Sequence, residues 1–431
     1  MQLKQALIKN TGWNFIGLFF TFINNIFIVR ILGAASSGSF FYSIAFLILL
    51  VILLRLGVEN GLTYFGAKSQ SFTGFLLSLL FPLSALQWFS CYLVLIKFKH
   101  PIQFFSPVWA STFVTANIFL YYTTAFFHAR KQFSAINIIS TISTLIQCMV
   151  LGYCYFNQGA AFTGLMINDT YTRLFEILTI TTVLQVVATL IVFVVQNKDV
   201  FIGYNFNIKL VGDLVKYSGF NYLNAILVFL GTRMDFYFVE KYCTLGELGN
   251  YIQAAKIGQL GMVLPGLIGG VVFPFAISSG NGFSEKVASL CRLVTSLFIF
   301  VFIGTLFFGY FLFPLLLGNE FTLVYKIVLI TLAGIACMGL SIILMSYFEG
   351  KNLQRIILYS NATALGLILL GDYLFVEQYG YLAAASVFTT GNIAGLGIFL
   401  YFFTKQSGLK VRTMFFVRRS DLLTLFSYLK G

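Results

Sequence analysis

The feature that most constrains this chain is a succession of apolar runs, each long enough to cross a bilayer. They lie at 10–32, 39–66, 74–96, 105–127, 134–156, 174–196, 214–238, 248–277, 290–317, 323–348, 353–376 and 379–404. About 20 apolar residues suffice for one spanning helix, so twelve spans take up almost all of the 431 residues. Backbone N–H and C=O groups cannot stay unpaired in hydrocarbon, and the spans therefore read as helices. The strand-like alternation of an outer-membrane barrel is absent. Composition excludes the other classes. With 59% apolar and 10% charged residues, the chain carries more apolar surface than one soluble core, which stops growing near ~250–300 residues, can hide. A soluble enzyme, a disulfide scaffold and a disordered chain are all excluded. Little sequence remains for an extramembrane domain, which argues against a receptor or an enzyme working through a large external loop.

The formal net charge is +13, yet no motif for base readout accompanies it, and nucleic acid is not expected as a partner. The basic residues fall in short loops, where they orient spans. Only Arg30, Lys97, Lys99, Arg173, Lys241 and Lys326 lie on the side away from the N-terminus, and Arg55, Arg233 and Lys256 lie within spans. The other Lys and Arg residues share the side of the N-terminus, which predicts both termini in the cytoplasm. The six Cys residues form no CxxC or Cys/His cluster, so neither a metal site nor a disulfide framework is indicated. The first apolar run is too long for a signal peptide and reads as a retained span.

The sequence repeats itself. IKNTGWNF at 8–15 resembles VKYSGFNY at 215–222, with Lys9, Gly12 and Asn14 matching Lys216, Gly219 and Asn221. GSFFYSIA from Gly38 resembles GNYIQAAK from Gly249, and FFHARK at 126–131 resembles YFEGKN at 347–352. The chain thus divides into a lobe of six spans at 1–196, a cytoplasmic linker at 197–213, a second six-span lobe at 214–404, and a basic tail at 405–431. Six is even, so the repeats are parallel, and such halves usually bind substrate at their interface during alternating access. The tail mixes apolar and basic residues and is expected to lie as an amphipathic helix on the anionic inner leaflet.

Polar residues within spans mark candidate function. Asn14, Thr21, Asn24 and Asn25 share one face of the first span, and Asn221, Asn224, Thr232 and Asp235 share one face of the seventh. Such stripes either tie helices together or line a wet cavity. Ionisable groups in a span are costly and default to functional candidates. Arg55 and Glu59, four apart, can pair on one face, or Glu59 can titrate and release Arg55. Arg233 and Asp235, two apart, point to different faces, and Arg233 is expected to snorkel towards the outer surface. Lys256, with Gln253 and Gln259 three residues to either side, is expected to line a cavity. Arg30 stands at a cavity rim or anchors the interface. A cavity holding Arg30, Arg55 and Lys256 would attract phosphate. In LPGLIGGVVFPF at 264–275, Pro265 and Gly266 predict a hinge.

Several segments together resemble the polysaccharide-exporter branch of the multidrug/oligosaccharidyl-lipid/polysaccharide flippase superfamily, most of all O-antigen flippases of the Wzx type. They are LIKNTGWNF, RILGAASSGSFFY after the first span, AFFHARKQFSAIN after the fourth, RMDFYFVEKYCTLGELGNYIQAAK across the seventh and eighth, and PLLLGNEF after the ninth. The resemblance implies an all-α fold of two six-helix lobes in a V, as in MATE transporters. It also implies movement of undecaprenyl-diphosphate-linked oligosaccharide across the bacterial inner membrane. Related lipid II flippases place arginines on spans one, two and eight, to which Arg30, Arg55 and Lys256 correspond. The eighth-span residue here is Lys, and those relatives usually carry two further spans. Expected partners are the lipid-linked oligosaccharide, membrane lipids, and a polysaccharide polymerase with its chain-length regulator.

The expectation is a non-enzymatic flippase with no catalytic residues and no cofactor. No Walker motif is present, so a proton or sodium gradient or the membrane potential would drive it, with Glu59 and Asp235 as candidate coupling acids. Two alternatives are a cation-coupled multidrug exporter and a membrane polymerase or ligase of polysaccharide assembly.

Overall fold

The computed structural model describes residues 2–59, 61–63, 70–98, 104–130, 132–157, 167–197, 208–278 and 283–415. The described chain is helical throughout. The helices are α1 (Gln2–Arg55), α2 (Gln70–Lys97), α3 (Pro107–Ala129), α4 (Phe133–Phe156), α5 (Ile167–Gln196), α6 (Ile208–Tyr242), α7 (Leu245–Gly261), α8 (Val263–Ser278), α9 (Phe283–Leu317), α10 (Leu323–Gly350) and α11 (Gln354–Ser407). A 3-10 turn at Val411–Met414 follows. Seven of these helices are long and apolar enough to cross a membrane, or eight if the bent pair α7 and α8 is one span. Two of the seven, α1 and α11, have 54 residues each, about 80 Å if straight. Each breaks at a glycine with positive φ, Gly33 (74°) and Gly380 (62°), so each holds two spans. The more polar α3 and α6 overlie two further expected segments, and each of the twelve expected segments has most of its described residues on a helix.

The internal repeat is visible in backbone hydrogen bonds. At the end of α3, the Arg130 N–H donates to the Phe126 carbonyl (3.1 Å) and the Gln132 N–H to that of Phe127 (2.8 Å). At the end of α10, Lys351 donates to Tyr347 (3.1 Å) and Leu353 to Phe348 (2.9 Å). Every partner is displaced by the same 221 positions, and Arg130 and Lys351 share φ −87°. Aromatic packing repeats as well. Phe126 and Phe127 sit on Phe193, and Tyr347 and Phe348 sit on Phe403 and Phe399.

The chain forms two compact units: residues 1–33 with 40–226, and residues 34–39 with 227–431. The division therefore falls inside α6 and not in the segment 197–213. The packing explains why. Within the first unit, the Tyr222 hydroxyl donates to the Leu53 carbonyl (2.9 Å), and Gly57 lies so near Ser218 and Tyr222 that a Cβ there would stand 2.9 Å from the Tyr222 side chain. The 34–39 segment belongs to the second unit because the Ala34 N–H donates to Glu320 (2.7 Å). Gly38 also abuts Leu245 and Gly249. The second unit's core runs through α8 to α11 around Cys291, Ile343, Leu344, Phe348, Phe399 and Phe403.

Three expectations change. The second span ends at Arg55, followed by a left-handed turn at Leu56 (φ 55°) and Gly57 (φ 66°). The bend in the eighth falls at Met262, between α7 and α8, at about 40°. The Pro265 ring would clash with the carbonyl four residues back, which forces the break upstream. Pro265 then sits in the first turn of α8, where its missing N–H costs nothing. Gly266 donates to the Met262 carbonyl and continues the helix. The start of the tail is also fastened to the bundle. Gly408 caps α11 with φ 70°, Arg292 donates to the Thr413 carbonyl (2.6 Å), and Met414 is buried. The rest of the tail lies outside the described residues.

A Cβ on Gly38 would fall 2.6 Å from the Leu245 carbonyl oxygen and 2.8 Å from the Gly249 nitrogen. Backbone on both sides leaves no flexible neighbour to give way. Gly38→Ala is expected to destabilise the purified protein by about 1–3 kcal/mol, read as a lower thermal unfolding midpoint. Gly366→Ala, which meets open space, serves as the unchanged control.

Candidate functional sites in the two units

The first unit's site forms where α1 stops. A helix end leaves carbonyls without intrahelical partners, and side chains from three helices satisfy those of α1. Tyr222 reaches Leu53, Gln87 Nε2 reaches Leu54 (2.8 Å), and the Tyr122 hydroxyl reaches Arg55 (3.2 Å). Gln87 also donates to the Tyr122 oxygen (2.8 Å). Arg55 Nε lies 3.4 Å from Glu59 Oε1, and its guanidinium lies 4.5 Å from the centre of the Tyr121 ring. The two charges expected to pair do so, but across the left-handed turn and not along a helix face. Arg55 is thereby neutralised locally.

The stripe expected on the first span divides by role. Asn24 is buried and donates to the Thr144 carbonyl (3.3 Å) and to Gln147 Oε1 (3.0 Å), so it ties α1 to α4. Thr21 bonds within its own helix, to Gly17. Asn25 is half-buried, and Arg30 is exposed with Nη1 3.4 Å from the Tyr155 hydroxyl. The side chain of Asn14 lies outside the described residues. Asn221 and Asn224 are half-buried on α6.

The second unit holds a denser cluster. Thr244 and Glu247 form a capping box at the start of α7, with the Glu247 N–H on Thr244 Oγ1 (3.3 Å) and the Thr244 N–H on Glu247 Oε2 (2.8 Å). That fixed start aims Tyr251 inward. Its hydroxyl donates to Asp235 Oδ2 (2.6 Å), while Asp235 Oδ1 accepts the Phe236 N–H (3.0 Å). Asp235 is buried. Arg233, two residues earlier, does not snorkel. Its guanidinium lies 4.9 Å from the centre of the Phe236 ring, and with Asp235 it lines a cavity of about 80 Å³. By the ~10–15 Å³ that one water needs, this is room for several waters.

Lys256 is half-buried and within electrostatic reach of Arg233. Gln259 is exposed and lines the cavity. Gln253, expected to line it too, is instead wholly buried in the packing. Asp372 on α11 is the residue that sequence reasoning missed. It has no exposed surface, neither carboxylate oxygen has a hydrogen-bond partner, and it lies within electrostatic reach of Asp235. The signal was present, since Leu365, Ile368, Asp372 and Val376 are spaced as one buried helix face. Among the described residues no cluster of His, Cys, Asp and Glu has the makings of a metal site.

No family model matches this sequence, and none of the curated proteins compared matches it. Solved structures do. The chain is similar to the lipid II flippase MurJ in an inward closed conformation, with TM-score 0.74 and 14% identity over 98% of this chain and 93% of that one. It is similar to a point variant of the Vibrio cholerae MATE transporter VcmN, with TM-score 0.67 and 16% identity over 96% and 98%. It is also similar to a MOP-superfamily transporter from Pyrococcus furiosus described by the reversed polarity of its binding pocket (TM-score 0.61, 13% identity, 94% and 96%). The fold is therefore the all-helical, polytopic membrane fold that MurJ shares with MATE transporters. The proteins solved with it are a flippase and transporters, not enzymes.

An ionised, unpartnered carboxylate in a low-dielectric interior is costly. Asp372→Asn is therefore expected to leave the thermal unfolding midpoint of the purified protein equal to or above the parent's, a gain in stability of up to about 3 kcal/mol. A clear fall in that midpoint would contradict this account of Asp372.

Proposed function

We propose that this chain is a flippase for undecaprenyl-diphosphate-linked oligosaccharide repeat units, of the O-antigen kind, working by alternating access in the bacterial inner membrane with both termini cytoplasmic. The observation that carries the proposal is the set of cations within the expected spans or at their ends, on a fold shared with a solved lipid II flippase. Arg30 and Arg55 stand in the first unit, and Lys256 beside Arg233 in the second. Such groups suit a diphosphate, by bidentate contact for Arg and point charge for Lys. The prenyl tail stays in lipid, and the sugars meet polar residues such as Asn25, Asn221 and Asn224. A polymerase and a chain-length regulator would act on the delivered units.

Coupling falls to Asp235 and Asp372. Glu59 is engaged by Arg55 and is the weaker candidate. A proton or sodium ion taken up by the acid pair, or the membrane potential at about 2.3 kcal/mol per charge per 100 mV, would supply the drive. The same acid pair favours a second reading, a cation-coupled multidrug exporter, since MATE transporters share the fold.

Deletion of the gene is expected to trap lipid-linked repeat units in the inner leaflet, measured by accessibility of the sugars on each side of sealed vesicles. Lys256→Ala should restore export at least about tenfold less well than the parent at equal expression, in line with the loss of a charged hydrogen bond. Arg55→Ala should do likewise, and adding Glu59→Ala, which removes the stranded carboxylate, should not repair it. Normal distribution of the units in the deletion strain, with lost drug efflux, would replace the flippase with the exporter.

A further inference from the structure

One helix is divided between the two units. Residues of α1 up to Gly33 and from Phe40 onward belong to the first unit, while residues 34–39 between them belong to the second. Both ends of this six-residue piece therefore run into the first unit. Further along α1, the Leu53, Leu54 and Arg55 carbonyls are fixed there by Tyr222, Gln87 and Tyr122. The piece is helical after the break at Gly33, and it runs on unbroken into the rest of α1. If the two units move against one another, either α1 bends beside residues 34–39 or the second unit releases them.

The hold on the piece is built to release. Its receiving side is fixed: the Thr244–Glu247 capping box sets the start of α7. Buried Asn250 bonds to the Gly246 and Glu320 carbonyls and to the Leu323 N–H, which joins α7 to the turn between α9 and α10. Gly249 has no side chain to hold off the Ala34 carbonyl, and Gly38 none to hold off Leu245. Such backbone contacts separate without withdrawing a side chain. The directional bond across them runs from the Ala34 N–H to Glu320 Oε2 (2.7 Å), while Ser37 donates within the piece, to the Ala34 carbonyl. An N–H in the first turn of a helix has no intrahelical acceptor, so breaking the Glu320 bond unwinds nothing. Glu320 is exposed, and water can solvate its carboxylate once the bond is gone, leaving no charge stranded in the interior.

Resting on the alternating access proposed above and not on its cargo, we infer that residues 34–39 and Glu320 form a reversible clasp. Glu320 holds the start of the second half of α1 within the second unit, and the clasp opens whenever the two units change their arrangement. Bending α1 instead would open bonds of a continuous helix, which release of Ala34 leaves intact. With the clasp open, α1 belongs to the first unit along its whole length.

The test uses the full chain in nanodiscs and two readouts. Hydrogen exchange follows the amides of residues 34–39. Spin labels on Asn157→Cys and Lys326→Cys, exposed positions in the first and second unit, follow the distance between the units once the six native Cys residues are replaced by Ala. Glu320→Ala is expected to speed exchange at 34–39 at least about tenfold, in line with loss of a charged hydrogen bond, and to leave the amides of α10 unchanged. It should raise the ratio of the minor to the major label distance by a similar factor. Glu320→Gln, which keeps an acceptor, should change both by about threefold, and Asn319→Ala, exposed beside it, should change neither. Should Glu320→Ala not fold, Glu320→Gln decides on the same readouts. Parent-like exchange in the deciding variant overturns the clasp. Faster exchange with unchanged label distances reduces Glu320 to a local bond and overturns the link to movement. Either result leaves the flippase proposal to the vesicle assay on the deletion strain, since a clasp serves any cargo.

Discussion

A backbone N–H or C=O freed at a helix end must find a partner where water is scarce, and two interruptions in this structure are met by side chains from elsewhere in the chain. At Arg55 three consecutive carbonyls are met by Tyr222, Gln87 and Tyr122. After Gly33, the freed N–H of Ala34 is met by Glu320. Asn250 steadies the segment that supplies Glu320, donating to the Glu320 carbonyl and accepting from the Leu323 N–H. At Met262 the bend is met locally: the Met262 N–H donates to the Gln259 carbonyl, and the Met262 carbonyl accepts the Gly266 N–H. The partners at Arg55 and Ala34 lie far away in sequence, which is why those two interruptions also knit each unit together.

Charge follows the same economy with a different outcome in each unit. In the first, Arg55 and Glu59 neutralise one another, and an aromatic face takes up the remaining cationic field. In the second, Asp235 is fully hydrogen-bonded, Arg233 turns to a cavity and Asp372 has no partner. A group of opposite charges near one another without direct ion pairs is poised to respond to added ligands. An anion at Arg233 would offset its positive field and raise the affinity of Asp235 and Asp372 for a cation, and a cation at the acids would raise the affinity of Arg233 for an anion. Such linkage is reciprocal by thermodynamic necessity. Binding at one end of the cluster would thus set the affinity at the other without any contact between the two ligands.

The spans, the repeat and the Arg55–Glu59 pair were legible in sequence because each depends on local pattern: apolar length, similarity in order, or spacing of four. The turns at Arg130 and Lys351 show how far that goes, since sequences sharing few residues make the same bonds. What pattern could not give was the partner across space. The positive φ of Leu56 belongs to a turn in which Gly57 packs against Tyr222, a contact that no spacing rule encodes. Asn24 and Gln253 have the polarity of cavity residues, yet tertiary packing buries both. Long basic side chains generally reach the surface, but Arg233 lies against the Phe236 ring and lines the adjoining cavity. Asp372 shares the spacing of Leu365, Ile368 and Val376, but that spacing alone does not say whether the face meets lipid or the packed interior.

The glycines of the repeat show what duplication demands of sequence. Gly38 and Gly249 occupy corresponding places in the two copies, and in the folded second unit they touch, with a Cβ on either running into backbone of the other's segment. A substitution in one copy therefore cannot be absorbed by shrinking its counterpart, because the counterpart already has no side chain. Elsewhere the copies are free to diverge, as in Gln132 against Leu353 or His128 against Glu349. There the conserved element is a backbone bond that any residue can make. The duplicated chain keeps identity where backbones meet, and keeps only geometry where side chains intervene.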